Sequence, residues 1–392
     1  MVIATADRLN NTREYYFSVK LKEVRGLMDQ GHPVINMGIG SPDLPPSPNT
    51  IAKMVETVQQ PDIHGYQPYK GIAALRKAIA SWYHQTYQVN LDPEHEILPL
   101  MGSKEGITHL SLTYLNPGDP VLVPELGYPS YRAVSEMVGA KVIPYPMLEK
   151  TWHPDFAKMQ EMDLSKVKIM WINYPHMPSG APASKALFEQ LVAFAHDKKI
   201  LLCHDNPYSL ILAREKPISL LSIDGAREIS VEMNSMSKSH NMAGWRVGWM
   251  SGKREYLDEV IKIKSNIDSG MFYGIQNAAV EAFKNDTEWH LKQNEIYNAR
   301  RVKVYQFLDK LGCNYDKEQV GLFAWAKVPD QLQSVEKLID HLLYQYHLFI
   351  SPGFIFGQKG ERYIRMSLCN SEAQVEEALI RIRDFKIEEV ES

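Results

Sequence analysis

A lysine with hydroxyls just before it and an arginine eight positions after it is the chemically richest spacing in the chain. It reads Ser235-Met236-Ser237-Lys238, followed by Gly244-Trp245-Arg246, and it comes directly after the apolar β-type run Ile229–Met233. A desolvated lysine amine is a nucleophile and forms a Schiff base with an aldehyde. Hydroxyls and an arginine fork suit a phosphate. An exposed lysine after a strand is the plain alternative, so the reading needs partners elsewhere.

Several segments qualify as partners. Gly102-Ser103-Lys104 opens a helix whose first N–H groups can face an anion; it also reads as an ordinary cap at Ser103. Asp205-Asn206-Pro207-Tyr208 puts a carboxylate at the end of a buried strand, where it needs a cation. A pyridinium nitrogen is such a cation, and the carboxylate would keep it protonated so that the ring withdraws electrons. Tyr208 can then bond the ring hydroxyl. A turn containing proline explains the same four residues. Ile364-Arg365-Met366-Ser367 sets an arginine among apolar neighbours, where it calls for a carboxylate of protein or substrate. Asn173 to Gly180 has the composition of a tight loop. Gly38-Ile39-Gly40 lacks a third glycine and is soon followed by Pro42, which argues against a dinucleotide fingerprint.

The elements that must position these residues follow from the pattern of apolar runs. Strands are expected at Glu96–Met101, Pro120–Pro124, Lys141–Tyr145, Lys168–Tyr174, Ile200–Cys203, Ile229–Met233 and Val247–Met250. They alternate poorly between apolar and polar, as strands buried on both faces do. Helices lie between them, such as Ser184–Asp197 with a stripe of Ala186, Leu187, Leu191, Phe194 and Ala195. This is an α/β pattern around a mainly parallel sheet. The polar motifs fall at the carboxyl ends of these strands, the edge where open α/β sheets bind ligands. After about residue 286 the style changes to a smaller α+β unit. Its helices are expected at Glu288–Leu311, Ser334–His347 and Glu372–Phe385, and its strands at Leu322–Val328 and Tyr363–Leu368. A helix at Tyr15–Met28 is expected to join it, and Pro42–Pro48 reads as irregular. The domains are thus expected at 46–286 (large) and at 1–45 with 287–392 (small).

Composition narrows the function classes. A chain of 392 residues exceeds one ordinary core. A net charge of −4 and a pI of about 6.4 give no electrostatic case for nucleic acid or an anionic membrane. Cys203, Cys313 and Cys369 are scattered and odd in number, which fits a reducing compartment and neither a disulfide framework nor a zinc site. Asp7, Arg8, Arg13 and Glu14 occupy the place of a signal peptide's apolar core. No apolar run approaches the roughly 20 residues of a membrane helix. The expectation is a cytoplasmic protein with no metal.

Together the motifs resemble fold-type I enzymes that use pyridoxal 5′-phosphate (PLP), the class I/II aminotransferases of the aspartate aminotransferase superfamily. The resemblance runs from Ile35-Asn36-Met37-Gly38 to Ile364-Arg365. It implies a PLP-binding α/β/α domain and a smaller domain. It implies that Lys238 is the Schiff-base lysine, with Asp205 on the pyridine nitrogen and Tyr208 on the ring oxygen. Ser103, Lys104, Ser235 and Arg246 match phosphate ligands, and Tyr128, in Gly-Tyr-Pro-Ser-Tyr, matches the ring-stacking position. Tyr66, with Pro68, Gly71, Leu75 and Arg76 after it, matches a segment whose tyrosine reaches the phosphate of a neighbouring subunit. Arg365 and Gly40 match the binding site of the substrate α-carboxylate. The family usually reads Asn-Pro-Thr-Gly where this chain has Met177-Pro178-Ser179-Gly180. Methionine has no N–H donor, which leaves Tyr208 as the strong donor to the ring oxygen and Asn173 as a further candidate contact.

The resemblance implies a homodimeric aminotransferase that moves an amino group from an L-amino acid to a 2-oxo acid, 2-oxoglutarate being the expected acceptor. A β-eliminating carbon–sulfur lyase is the alternative on the same scaffold; a non-catalytic PLP-fold regulator is a lesser one. Specificity is expected from Ile39–Pro45, Tyr66–Lys70 and Asn266–Tyr273. The last contains Met271, Phe272 and Tyr273 but no arginine. An acidic side chain would call for an arginine clamp, so neutral donors, large apolar or aromatic ones, are expected.

Overall fold

All seven strand segments expected in the first part of the chain pair into one sheet. They are β1 (Ile97–Leu100), β2 (Pro120–Pro124), β3 (Lys141–Tyr145), β4 (Ile169–Asn173), β5 (Leu201–Asp205), β6 (Ser230–Ser235) and β7 (Gly248–Gly252). The computed structural model describes residues 3–9 and 16–391; the expected Arg13, Glu14 and Tyr15 lie outside them. The spatial order is β1-β7-β6-β5-β4-β2-β3. Neighbours from β3 through β6 are parallel. β7 runs against both β6 and β1.

The central strands form where they do because both faces are covered. Ile169, Trp171, Leu201, Cys203, Val231 and Met233 pack into one apolar cluster. Met170, Ile172 and Leu202, pointing the other way, pack into another. Each such side chain contributes roughly 1.5–3 kcal/mol on burial. The helix Lys185–Lys198 covers the second face, capped by Ser184, whose hydroxyl accepts from the Leu187 N–H, and ended by Lys199 at φ +57°. Its buried stripe is Leu187, Phe188, Leu191, Val192, Phe194 and Ala195. Ala186, expected in the stripe, is exposed, because the contact face is rotated about one residue further round the helix. Pro48 also departs from expectation. It begins a helix, Pro48–Val58, with Ser47 as cap, and proline suits the first helical position because its missing N–H would have no partner there.

Chain direction across the sheet reverses between β2 and β4. β3 lies outside β2, whereas β4, β5 and β6 progress the other way. A crevice opens at the carboxyl ends of strands at such a switch point.

The second sheet is antiparallel, in the order Ser351–Pro352, Tyr363–Ser367, Phe323–Lys327, Asn314–Tyr315. The helices Thr287–Lys310, Val335–Tyr346 and Glu372–Arg381 accompany it. The helix Tyr16–Asp29 joins this part of the molecule, with the Lys20 ammonium 2.6 Å from Asp340 and the Phe17 ring 5.9 Å from Phe349. Ile35–Asn36 pairs in parallel with Leu348–Phe349, and the Ser367 N–H donates to the Met37 carbonyl at 2.7 Å. The small sheet thereby carries Gly38 to Gly40 to the rim of the large one. Among the described residues no helix is long and apolar enough to cross a membrane.

Candidate active site

The turn after β6 is built by its own hydroxyls. Ser235 caps the single helical turn Met236–Ser239; its Oγ accepts from the Ser237 N–H at 3.1 Å and lies 2.9 Å from Ser237 Oγ. Arg246 has φ +59°, and its Nη1 donates to Ala243 O at 2.9 Å and to Ser237 Oγ at 3.3 Å. Opposite, the helix Ser103–Tyr114 begins at Gly102, with φ +85° and ψ 152°. That conformation is essentially restricted to glycine. A Cβ on Gly102 would stand 2.1 Å from Arg246 Nη2. The glycine therefore lets a guanidinium approach a helix N-terminus, where N–H groups lack intrahelical acceptors and partial positive charge gathers. Hydroxyls, guanidinium and helix N-terminus together form a group of donors that could hold a phosphate.

Asp205 ends β5 and is 5% exposed. Its Oδ2 accepts from the Tyr131 hydroxyl at 3.0 Å, while its Oδ1 is buried without a hydrogen-bond partner among the described residues. Burial pushes the Asp205 carboxyl up to about 6, against the lowering effects of the Tyr131 hydroxyl, His204 and Ser103. An orphaned carboxylate oxygen in a buried site is costly unless a cation meets it. A protonated ring nitrogen supplies both the charge and the missing donor. Tyr131 is itself fixed by stacking on Trp171, with centroids 5.3 Å apart and planes 2° from parallel. Tyr208 follows on the next loop; burial pushes its phenol well up and keeps it a donor.

Lys238 reaches across from the turn and donates to the Gly40 carbonyl. Burial lowers its pKa; the Cys369 thiol nearby acts the other way, and the Arg365 and Arg246 cations lower it further. A lysine held in this way has more unprotonated amine available for attack and for carrying a proton.

Arg365 sits on Tyr363–Ser367, opposite Trp325. Its guanidinium carbon lies 3.9 Å from the Phe323 ring centre and 4.5 Å from that of Phe356. Its Nη2 donates to Gly38 O at 2.8 Å, and its Nη1 lies 3.3 Å from Met177 Sδ. Two rings and a carbonyl hold the planar fork, a geometry that suits a bidentate carboxylate. Gly40 is needed here for space, since a Cβ would stand 2.1 Å from the Phe323 ring.

A cavity of about 280 Å³ joins these groups and is lined by Gly40, Ser103, Lys104, Tyr128, Asn173, Asp205, Tyr208, Ser235, Lys238, Arg246 and Arg365. Every site residue expected from the sequence is thus brought together except Tyr66. That residue is 93% exposed. Asn173 lines the cavity, but its amide is engaged with the backbone: Nδ2 donates to Asp205 O at 2.7 Å, and Oδ1 accepts from Met177 N–H at 2.8 Å. It ties the loop to the strand end and keeps one N–H for the cavity. Met177 also lines the cavity, so the departure from the family motif faces the site. The sequence reading missed Tyr131, Phe323 and Phe356, and took Ser237 only as one of the hydroxyls before Lys238. Tyr131 stands three residues after Tyr128 at a helix start and Ser237 lies within the lysine motif, so both had a local signal. The two phenylalanines had none.

The comparisons agree with this geometry. The model of the family described as aminotransferase class I and II matches residues 32–382. An LL-diaminopimelate aminotransferase of Halothermothrix orenii is 38% identical over 97% of this chain and 98% of its own. One of Dehalococcoides mccartyi is 37% identical over the same shares. Among solved structures, substrate-bound BacF from Bacillus subtilis superposes with a TM-score of 0.93 at 32% identity, covering 98% of both chains. The curated relatives are named as aminotransferases, which does not favour the lyase or the non-catalytic alternative. With a cavity that fits the cofactor and a family match along most of its length, this chain belongs to the class I and II aminotransferases and is a PLP-dependent transaminase.

Proposed function

We propose that this transaminase takes LL-diaminopimelate as amino partner and 2-oxoglutarate as the 2-oxo acid. The substrate follows the names of the relatives, which are LL-diaminopimelate aminotransferases. It agrees with the lack of arginine in 266–273, because a side chain that ends in both an ammonium and a carboxylate is neutral overall. Bound PLP supplies an aldehyde that bonds amines and a ring that accepts electrons. In this reading Lys238 is the residue that would hold the cofactor's aldehyde carbon and would carry a proton at the substrate Cα. Asp205 holds the ring-nitrogen proton. Tyr208 donates to the ring oxygen, Tyr128 stacks on the ring, and Ser103, Lys104, Ser235, Ser237 and Arg246 hold the phosphate. Arg365 takes the α-carboxylate beside Gly40. The observation that carries the reading is the orphaned, buried Asp205 Oδ1 in one cavity with Lys238.

A homodimer completes the proposal. Its support is Tyr66, which stands in solvent away from its own cavity and resembles the family's tyrosine that serves a neighbouring subunit. The division into a large domain at 46–286 and a small one at 1–45 and 287–392 is supported by the separation of the seven-stranded sheet from the four-stranded one. Three buried free cysteines support a reducing, cytoplasmic setting.

The test is a panel of amino acids with 2-oxoglutarate, read as glutamate formed. LL-diaminopimelate should give the highest kcat/KM. A preference for aromatic donors would transfer the specificity to Phe272 and Tyr273, and pyruvate with ammonia released from cystathionine would reinstate the lyase.

A further inference from the structure

Asn241 follows Lys238 by three residues and has none of the roles assigned above. It is buried, does not line the cavity and adopts φ +55°. Asparagine tolerates that left-handed conformation, although glycine adopts it more readily. What asparagine adds is a side chain, and this one joins three parts of the chain. Its Nδ2 donates to the Pro45 carbonyl at 3.2 Å and to Gln293 Oε1 at 2.9 Å, and its Oδ1 accepts from the Tyr297 hydroxyl at 3.3 Å. A side-chain amide supplies N–H donors and an acceptor at once, and here both kinds are engaged.

Gln293, Tyr297 and Arg300 are spaced four and three apart on the helix Thr287–Lys310, so they share one face. Arg300 is buried, and its two terminal nitrogens donate to the Asp43 carboxylate at 2.7 and 2.9 Å. Beside Asn241, the His240 ring lies against Trp289 and His290 of the same helix, with centroids 6.1 and 5.1 Å away. One helix therefore grips the end of the lysine turn and, through Asp43 and Pro45, the far end of the segment 38–45. The near end of that segment walls the cavity. Gly38 O accepts from Arg365 Nη2 at 2.8 Å and from Ser351 Oγ at 3.0 Å, and Gly40 O accepts from Lys238. The place of Gly40 beside Arg365 is thus fixed from both ends of the segment.

We propose that Asn241 is a positioning residue for substrate binding. It fastens the far end of the segment 38–45 to the lysine turn and to the long helix, and so keeps Gly40 where it and Arg365 can meet one α-carboxylate. The inference rests on the reading of Arg365 and Gly40 as the carboxylate site. The α-carboxylate is unchanged by amino transfer, so the tie serves bound substrate and transition state alike. Its loss raises KM and spares kcat.

The test uses the full-length PLP holoenzyme. Asn241→Gly keeps the left-handed turn and removes the tie. KM should rise about tenfold, the scale of one or two neutral hydrogen bonds, for the best amino donor of the panel and for 2-oxoglutarate alike, with kcat hardly changed. Hydrogen–deuterium exchange of the same holoenzyme without substrate should be faster in a peptide covering 38–46 and unaltered in one covering 97–114. Gln293→Leu removes one of the two acceptors and should move both readouts the same way by less, so it reads the proposal if Asn241→Gly does not fold. Gln293→Glu keeps an acceptor for the amide and should behave as the parent. A lower unfolding temperature with KM and exchange at 38–46 unmoved would make Asn241 merely structural. A fall in kcat with KM unmoved would place its effect on Lys238 instead, and either result overturns the proposal. Arg365→Ala separates the two readings. An unmoved KM there removes the carboxylate site and this inference with it; a raised KM there with none in Asn241→Gly removes this inference alone.

Discussion

The two arginines of the cavity are held in opposite ways. Arg246 is exposed, and its Nη1 bonds to Ser237 and Ala243, within nine residues along the chain. Arg365 is buried between Phe323 and Phe356 and bonds to Gly38, 327 positions away in sequence. At the end assigned to the phosphate, the turn and its left-handed arginine are therefore a local device, met from another part of the chain by Gly102 and the helix it opens. The end assigned to the carboxylate is an assembled device that exists only when the small sheet delivers Gly38 to Gly40 against Arg365. A local device tolerates change in distant packing, whereas an assembled one responds to it.

Lys238 belongs to both ends, since its backbone lies in the local turn and its amine bonds the Gly40 carbonyl of the assembled end. Lys238→Ala should show the largest effect. Loss of both nucleophile and proton carrier should lower kcat by at least about a thousandfold. Borohydride trapping and mass spectrometry should find the cofactor on Lys238 in the parent protein and on no lysine in the variant.

Arg365→Ala tests the assembled end. It should cost about 2–5 kcal/mol in kcat/KM for amino donor and 2-oxo acid alike, because both present the same α-carboxylate. Cofactor affinity should hardly change. Unaltered steady-state kinetics would make Arg365 a packing residue and erase the contrast between the two ends.

Asp205→Asn should separate function from stability. Burial holds the folded-state carboxyl at about 6, above its ordinary value. The folded protein then binds more protons than the unfolded one, so its stability falls as pH rises through that range. Cofactor-free Asp205→Asn should therefore be more stable than the parent at pH 7.5, by up to about 3 kcal/mol. The gain should vanish below about pH 4, where the carboxyl is protonated in both states. Urea unfolding at the two pH values is the check, and turnover should fall in the same variant.

Gly102→Ala tests how closely the Arg246 turn can be approached by the helix it faces. The added Cβ meets Arg246 Nη2, and the backbone conformation is foreign to alanine. The cost should be about 1–3 kcal/mol, read as weaker PLP binding with little change in substrate KM. The smallest effect is expected where the two ends meet, at Met177, whose sulfur lies 3.3 Å from Arg365 Nη1. Met177→Asn restores an N–H donor for the ring oxygen, and that favours the deprotonated form of the bound cofactor. The pH midpoint of its absorbance change should fall, by less than about one unit. An unchanged midpoint would mean that Tyr208 and Asn173 already saturate that oxygen.

The strands, their order along the chain and the carboxyl-end placement of Gly102, Asp205 and Lys238 were legible in the sequence. Short apolar runs bounded by glycine, proline and asparagine are a local signal. The lysine motif was legible for the same reason, since Ser235, Ser237 and Arg246 act on neighbours a few residues away. The motif at 177 was legible as a departure, but not its consequence; the structure turns its sulfur toward Arg365.

The amino-acid sequence by itself determined the α/β class, the order of the elements along the chain and the identity of nearly all the cavity's polar groups. Periodicity and short-range chemistry are written into neighbouring residues. Only the tertiary structure decided that Phe323 and Phe356 sandwich Arg365, that Asp205 keeps one oxygen without a partner, and that Glu232 meets His204 across two strands. Those facts depend on strand register and on the burial of polar atoms. Both are settled when segments far apart in the chain exclude water together, and no window of local sequence carries that information.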